Sequence, residues 1–271
     1  MKRNILVTGA DGYIGKHLVN LLTQKSDYNI FLLDNKNNVN FKIDITDGME
    51  VARVGRYLDF DTIIHLAALV RMNESVKSPD KYYETNIIGT ANIMKLINYK
   101  NFIFASTGAA ENPTNPYSLS KLAAEDVVRQ YADDYTIFRF YNVTGTDGVS
   151  PTNPDGLLFN LMKSIKTGSF DLYGTDYNTI DGTAVREYVH VNDICRSIIK
   201  AIEKPSNSIE NLGYGDPKTV LEIINKFKEI NNVNFDVIPR SRREGDSEHM
   251  FLTKPSAYME RNYSFGELLR I

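Results

Sequence analysis

The sequence predicts an α/β protein, a mostly parallel doubly wound sheet followed by a smaller mixed α/β lobe. Three observations carry that expectation. The chain opens on a short apolar strand that runs straight into a glycine turn and an amphipathic segment. Short apolar runs and helical segments then alternate as far as Phe140. Beyond Asn142, Gly145, Gly148, Pro151, Pro154 and Gly156 break that rhythm.

Taken in order, strands are expected at residues 4–8, 29–33, 41–43, 62–65, 102–105 and 136–140, with helices at 16–24, 82–98 and 118–131. Later, helices are expected at 157–167, 193–202 and 220–228, and strands at 170–173 and 187–191. Residues 1–145 thus form the expected nucleotide-binding domain. Residues 146–271 form mainly a substrate-facing lobe, with a stretch near 180–205 returning to the first domain. The polar run 35–40 reads as a connection.

With 271 residues, 42% of them hydrophobic, the chain can bury a sizeable core. Thirty-one basic against 34 acidic side chains give a formal charge of -3, so general attraction to nucleic acid or to anionic membrane is not expected. Cys195 is the single cysteine, which excludes an intrachain disulfide and a multi-cysteine metal site. The four histidines, His17, His65, His190 and His249, complete no metal-binding pattern, so no metal is expected. The apolar run 5–7 is too short for a signal segment, and no stretch of about 18 apolar residues follows, so the expected compartment is the cytoplasm.

Chemistry enters at Gly9-Ala10-Asp11-Gly12-Tyr13-Ile14-Gly15, directly after the first strand. Glycines there permit a tight turn, close approach of a diphosphate to backbone amides, and close helix packing. Asp34 ends the second strand nineteen residues after Gly15, where a carboxylate accepts hydrogen bonds from a ribose diol. That acid favours NAD over NADP, whose extra phosphate would meet like charge. Asp44 and Ile45 either border the adenine or form a structural loop.

Tyr117 and Lys121 lie four apart at the start of a helix, so both can face one pocket, where an ammonium favours the phenolate. Thr107 follows the strand 102–105 at its carboxyl end, the place where open α/β sheets hold ligands. Ser106 competes with it, and the alternative for either hydroxyl is to satisfy a turn. His65 reads as structural or cofactor-proximal, His190 as satisfying buried backbone groups within a strand, and Cys195 as core-facing.

The chain resembles the extended short-chain dehydrogenases/reductases, within them the NAD-dependent epimerase/dehydratase family, and most specifically the UDP-glucose 4-epimerases. The resemblance rests on the glycine turn, Leu33-Asp34-Asn35, His65-Leu66-Ala67-Ala68, Glu74-Ser75-Val76 and Asn86-Ile87-Ile88-Gly89-Thr90. It continues through Phe102-Ile103-Phe104, Asn115-Pro116-Tyr117-Ser118-Leu119-Ser120-Lys121, Arg139-Phe140-Tyr141-Asn142 and residues 181–191. It implies a Rossmann-like fold with Tyr117 as catalytic base and acid, Lys121 on the nicotinamide ribose, and Thr107 as the hydroxyl partner. It further places Gly9, Gly12, Tyr13, Ile14, Gly15, Asp34, Asn35, Asp44, Ile45, Leu66, Ala67, Ala68, Asn86 and Tyr141, besides Tyr117 and Lys121, around NAD.

For a UDP-linked hexose the resemblance implies Thr107, Tyr117, Asn142, Asn160, Leu172, Tyr173, Arg186, Arg243 and Asp246. The implied reaction is reversible C4 epimerisation of UDP-glucose and UDP-galactose through a 4-keto sugar, with a homodimer contacting through 82–98 and 118–131. Other readings are a different nucleotide-sugar epimerase, a 4-keto reductase, a dehydratase, or a nonenzymatic NAD-binding protein. Two departures from the family pattern bear on sugar choice: only ten positions separate Thr107 from Tyr117, and Val70 stands where relatives often carry lysine.

Overall fold

The structure, a computed structural model, describes residues 2–243, 246–252 and 254–271. It divides into two compact units, Met1–Arg139 with Cys195–Glu210, and Phe140–Ile194 with Asn211–Ile271. The helix Val191–Glu203 carries the chain from the second unit back into the first.

The first unit is built on strands β1 (Arg3–Thr8), β2 (Tyr28–Asp34), β3 (Phe41–Lys42), β4 (Phe60–His65), β5 (Tyr99–Thr107) and β6 (Asp134–Phe140). With the strand Ile209–Leu212 at one edge, they lie in the order Ile209–Leu212, β6, β5, β4, β1, β2, β3. The strands β3, β2, β1, β4 and β5 pair in parallel. Burial explains why β1 is a continuous apolar run: Ile5, Leu6 and Val7 have no exposed surface, as a strand covered on both faces requires.

The chain leaves β1 for β2 on one side and later returns to β4 on the other. The order therefore reverses at β1, and a crevice opens at the carboxyl ends there. Register brings those ends level, with Thr8 opposite both Leu33 and His65, and His65 opposite Phe104.

Helices α1 (Tyr13–Leu22), α2 (Gly48–Tyr57), α3 (Met72–Lys77), α4 (Pro79–Tyr83), α5 (Gly89–Leu96) and α6 (Pro116–Tyr131) connect these strands. Their starts are written locally. Asp47 caps α2 by accepting from the amides of Met49 and Glu50 at 3.0 and 3.1 Å. Asn115 and Ser118 form a reciprocal capping box on α6, and Pro116 occupies its first turn, so Tyr117 is fixed at the helix entrance.

The single helix expected over 82–98 is interrupted. A π-helical turn, Glu84–Ile88, separates α4 from α5, and the helix ends at Leu96 because Ile97 is already extended. The elements α2, α3 and the edge strand Ile209–Leu212 were not expected from the sequence; all are short or carry few apolar residues in a clear period.

The second unit is a mixture of small sheets and two helices. The strand Ser169–Tyr173 pairs in parallel with Asp236–Arg240, and Asn142–Thr144 with Tyr188–His190. Val185–Arg186 lies between Lys218–Thr219 and His249–Met250. Leu158, Leu161, Phe170, Leu172, Ile223, Ile224 and Phe227 form its core, beneath the helices Leu157–Thr167 and Val220–Asn231. Gly168, at φ +76°, ends the first of these helices in the left-handed conformation glycine adopts without strain. Among the described residues no helix is long and apolar enough to cross a membrane.

Candidate functional site

At the carboxyl end of β1 the glycines leave no room for side chains. A Cβ on Gly9, which sits at φ +69°, would come within 2.7 Å of the Ala67 amide nitrogen; one on Gly15 would lie 2.3 Å from the Gly9 carbonyl oxygen. The α1 helix then begins at Tyr13 from Gly12 with no side-chain cap, which leaves amide hydrogens for an anion. Asp34 is buried at the end of β2, its carboxylate accepting from the amides of Asp11 at 3.0 Å and Lys36 at 3.1 Å. A carboxylate has about four acceptor positions, so two remain for a diol.

The neighbouring residues divide into exposed and committed ones. Asn35 is exposed, and Tyr13 sets its ring edge-on to His17 at 5.2 Å. Asp44 is also exposed, but one oxygen accepts from the Thr46 amide and hydroxyl at 3.0 and 2.8 Å, an Asx turn. Ile45 is core, packed where a Cβ on Gly89 would collide with it. Leu66, Ala67 and Ala68 form a half-buried wall beside Gly9.

His65 is held between two hydroxyls, Thr8 at 2.7 Å and Thr90 at 3.0 Å. The Thr90 hydroxyl donates to the Asn86 carbonyl, so it can only accept from His65, whose Nε2 therefore carries the proton. Nδ1 in turn accepts from Thr8. Burial pushes this imidazole down to about 3, with the nearby Lys121 charge adding to the effect, so His65 is neutral and structural.

Asn86 is fully buried in the π-helical turn. Its oxygen accepts from the Leu69 amide at 2.8 Å; its nitrogen donates to the Leu69 carbonyl at 3.0 Å and to the Ser120 hydroxyl at 2.9 Å. Ser120 passes the link on to the Tyr117 carbonyl at 2.7 Å. Both amide hydrogens of Asn86 are thus used within the protein, and it ties the loop after β4 to α6.

Thr107 ends β5, and its hydroxyl accepts from the Ala109 amide at 3.3 Å. Burial pushes the Tyr117 phenol up, and the nearby Thr107 hydroxyl pulls it back. Lys121, one turn further along α6, is 3% exposed with its ammonium 4.0 Å from the centre of the Phe104 ring. Burial brings it down to about 7, against an opposing pull from Glu125. Ser106 is committed elsewhere, its buried hydroxyl bonded to Glu125. The structure therefore brings Thr107, Tyr117 and Lys121 together and leaves Ser106 out.

In the second unit Tyr141 is buried, and Asn142 donates its side-chain amide to the Glu187 carbonyl at 2.9 Å. Asn160 donates to the carbonyls of Pro154 and Gly156, both at 2.8 Å, which stitches the loop before its helix. Leu172 belongs to the core and Tyr173 is half-buried. Arg243 lies over the Tyr173 ring, 3.9 Å from its centre, and Arg186 donates to the carbonyls of Val185 and Glu248. Neither guanidinium has a carboxylate partner among the described residues, which suits them to an anionic ligand. Asp246 is half-buried, its amide donating to the Arg243 carbonyl at 3.2 Å; Glu244 and Gly245 between them lie outside the described residues.

Residues 5–213 match the model of the NAD dependent epimerase/dehydratase family. The chain belongs to that family. UDP-glucose 4-epimerase 2 of Oryza sativa subsp. japonica is 31% identical over 317 aligned positions, which cover 96% of this chain and 78% of the relative. UDP-glucose 4-epimerase from Brucella ovis, solved in complex with NAD, superposes with a TM-score of 0.88 at 27% identity, covering 98% of this chain and 96% of the other. The Bifidobacterium longum enzyme in complex with NAD+ and UDP gives 0.86 at 26% identity with the same coverage.

Within this epimerase/dehydratase fold, sequence reasoning passed over two side chains that shape the site. Glu125 receives the Arg139 guanidinium twice, at 2.9 and 2.7 Å, besides Ser106. Its spacing of four from Lys121 was a readable signal. Tyr82, packed against Tyr117, gave no local signal because its partner lies 35 residues away.

Proposed function

We propose that this protein is a UDP-glucose 4-epimerase, interconverting UDP-glucose and UDP-galactose. The observation that carries the reading is the buried Lys121 one helical turn from Tyr117 at the entrance of α6, with Thr107 at the carboxyl end of β5 close enough to act on the Tyr117 phenol. The family membership and the relatives' names support the same reaction.

The residues present fit NAD. The Gly9 and Gly15 positions admit no side chain, the start of α1 has no side-chain cap to compete with a diphosphate, and Asp34 retains acceptors for the adenosine ribose. Gly12, Tyr13, Ile14, Asn35, Asp44, Ile45, Leu66, Ala67, Ala68 and Tyr141 are the further contacts we assign. For Asn86 the committed amide supports a supporting role behind the loop. Bound NAD would supply the hydride acceptor and donor for the sugar C4.

Tyr117 takes the proton of the C4 hydroxyl as that carbon becomes a ketone, and returns it when the opposite face is reduced. The Thr107 hydroxyl orients the sugar oxygen and lowers the cost of forming the phenolate. Lys121, poised near neutrality, holds the nicotinamide ribose and in its charged form favours that phenolate. Arg186 and Arg243 bind the diphosphate, Leu172 and Tyr173 flank the base, Asp246 takes a ribose, and Asn142 and Asn160 border the sugar.

We further propose a homodimer, supported by the exposed apolar side chains Ile88, Leu119 and Tyr131 on the helices expected to meet a second copy. A cytoplasmic location is proposed on the single, buried cysteine. The test of the reaction is conversion of each UDP-hexose into the other by the wild type and its loss in Tyr117→Phe.

A further inference from the structure

Tyr82 lies in the last turn of α4 and is completely buried. Its hydroxyl donates to the Arg71 carbonyl at 2.7 Å and accepts from the Arg71 amide at 3.1 Å, a two-point hold on one backbone residue. The ring stands nearly perpendicular to the Tyr117 ring, at 80° with centres 6.5 Å apart, inside the range of favourable edge-to-face pairs. Four residues on, and so on the same face of the helical segment, Asn86 makes the equivalent two-point hold on Leu69 and reaches α6 through Ser120.

A tyrosine that works as a base needs its phenol oxygen aimed at one place. Helix α6 fixes the Tyr117 backbone, through its capping box and the Ser120 bond to its carbonyl, but leaves the side chain two rotatable bonds. Thr107 acts on the oxygen at the far end. What remains is a surface against which the ring itself rests, and Tyr82 provides it, itself anchored by its hydroxyl to the loop after β4. A leucine there would fill space without a flat, oriented edge.

We propose that Tyr82 is a positioning residue for Tyr117, setting the orientation of the phenol toward Thr107 through its anchored, perpendicular ring. The proposal rests on the reading of Tyr117 as the base. Tyr82 touches no reacting atom in this scheme; it acts through Tyr117 alone.

The test compares Tyr82→Phe, which keeps the ring and loses the anchor, with Tyr82→Leu, which loses both, in the full-length protein. Activity is followed as kcat, KM and the pH dependence of kcat. The titration of Tyr117 is followed separately by NMR of protein labelled at the tyrosine Cζ, with the resonance assigned by its loss in Tyr117→Phe. The expected result is that Tyr82→Phe stays within about threefold of wild type in kcat, while Tyr82→Leu loses about tenfold with KM changed less than about twofold. In Tyr82→Leu the Tyr117 titration and the rising limb of the pH profile move together.

Equal kcat in the two variants, or an unmoved Tyr117 titration in Tyr82→Leu, would overturn the proposal. Should Tyr117→Phe stay active, the reading of the base fails instead, and the NMR titration still decides whether Tyr82 sets the Tyr117 ring.

Discussion

The Glu125 carboxylate grips the Arg139 guanidinium at two points, 2.9 and 2.7 Å, in a place where Glu125 has no exposed surface. Because Glu125 sits on α6, Arg139 on β6 and Ser106 on β5, this pair with the Ser106 bond locks the helix of Tyr117 and Lys121 onto the sheet. It also settles the geometry of two adjacent hydroxyls. Successive residues of a strand face opposite sides, so Ser106 turns to Glu125 while Thr107 turns to Tyr117.

Thr107→Val is therefore expected to lower kcat by about 10- to 100-fold, and Ser106→Ala by less than about threefold. Since the Thr107 hydroxyl pulls the Tyr117 phenol down, its loss leaves burial unopposed and the rising limb of the pH–kcat curve moves to higher pH. Steady-state rates of the two variants from pH 6 to 10 check both statements. A larger loss in Ser106→Ala than in Thr107→Val would reverse the assignment.

Lys121 carries a stability cost that its function explains. Its folded value, about 7, lies below the ordinary 10.5, so between those limits the unfolded chain binds a proton that the folded one does not. Stability of the cofactor-free protein must then fall as pH drops from about 10.5 to 7, by up to about 1.4 kcal/mol per pH unit from this group. Lys121→Met is expected to be inactive yet more stable than wild type at pH 7, with the gap narrowing toward pH 10. Urea unfolding at a series of pH values measures it.

His65 has the same sign of shift in a lower window. With its folded value depressed to about 3 from 6.5, its neutral-state stabilisation is fully present above pH 6.5 and is lost as pH falls toward 3. His65→Gln can keep one donor and one acceptor between Thr8 and Thr90 without titrating. Below pH 6 wild type should lose stability more steeply than this variant, by up to one proton's worth of slope.

Gly15→Ala tests the turn. The added methyl would sit 2.3 Å from the Gly9 carbonyl oxygen and 2.8 Å from that of Ala10, both backbone atoms, so the turn and α1 must separate. The expected cost is about 1–3 kcal/mol in stability, with NAD affinity reduced more than tenfold by calorimetry. Gly148→Ala is a control for the methyl's bulk, because nothing lies within 4 Å of its added Cβ, although its φ of +83° carries its own strain.

Much of this was legible because it is local. The glycine turn, the acid closing β2 and the Tyr117 to Lys121 spacing are each set by neighbours in sequence; the first two lie at the carboxyl ends of the adjacent strands β1 and β2, and the pair lies in the first turns of α6. The π-helical turn was not legible, since residues 84–88 have ordinary helical composition and the extra residue in that turn serves Asn86, whose partners are on other elements. The choice between Ser106 and Thr107 also needed three dimensions: Glu125 lies nineteen residues from Ser106, and nothing local tells which hydroxyl it claims. Residues of the second unit were reached through family resemblance, because Arg186, Tyr173 and Arg243 sit on separate short strands and loops with no shared period.

The most direct measurement follows the purified protein with UDP-glucose and UDP-galactose in separate samples by NMR of the sugar C4 and anomeric protons, with and without added NAD. The account predicts that both samples converge on one mixture of the two sugars and that Tyr117→Phe stops the approach from either side. Failure of wild-type protein to change either sugar with NAD present would contradict it.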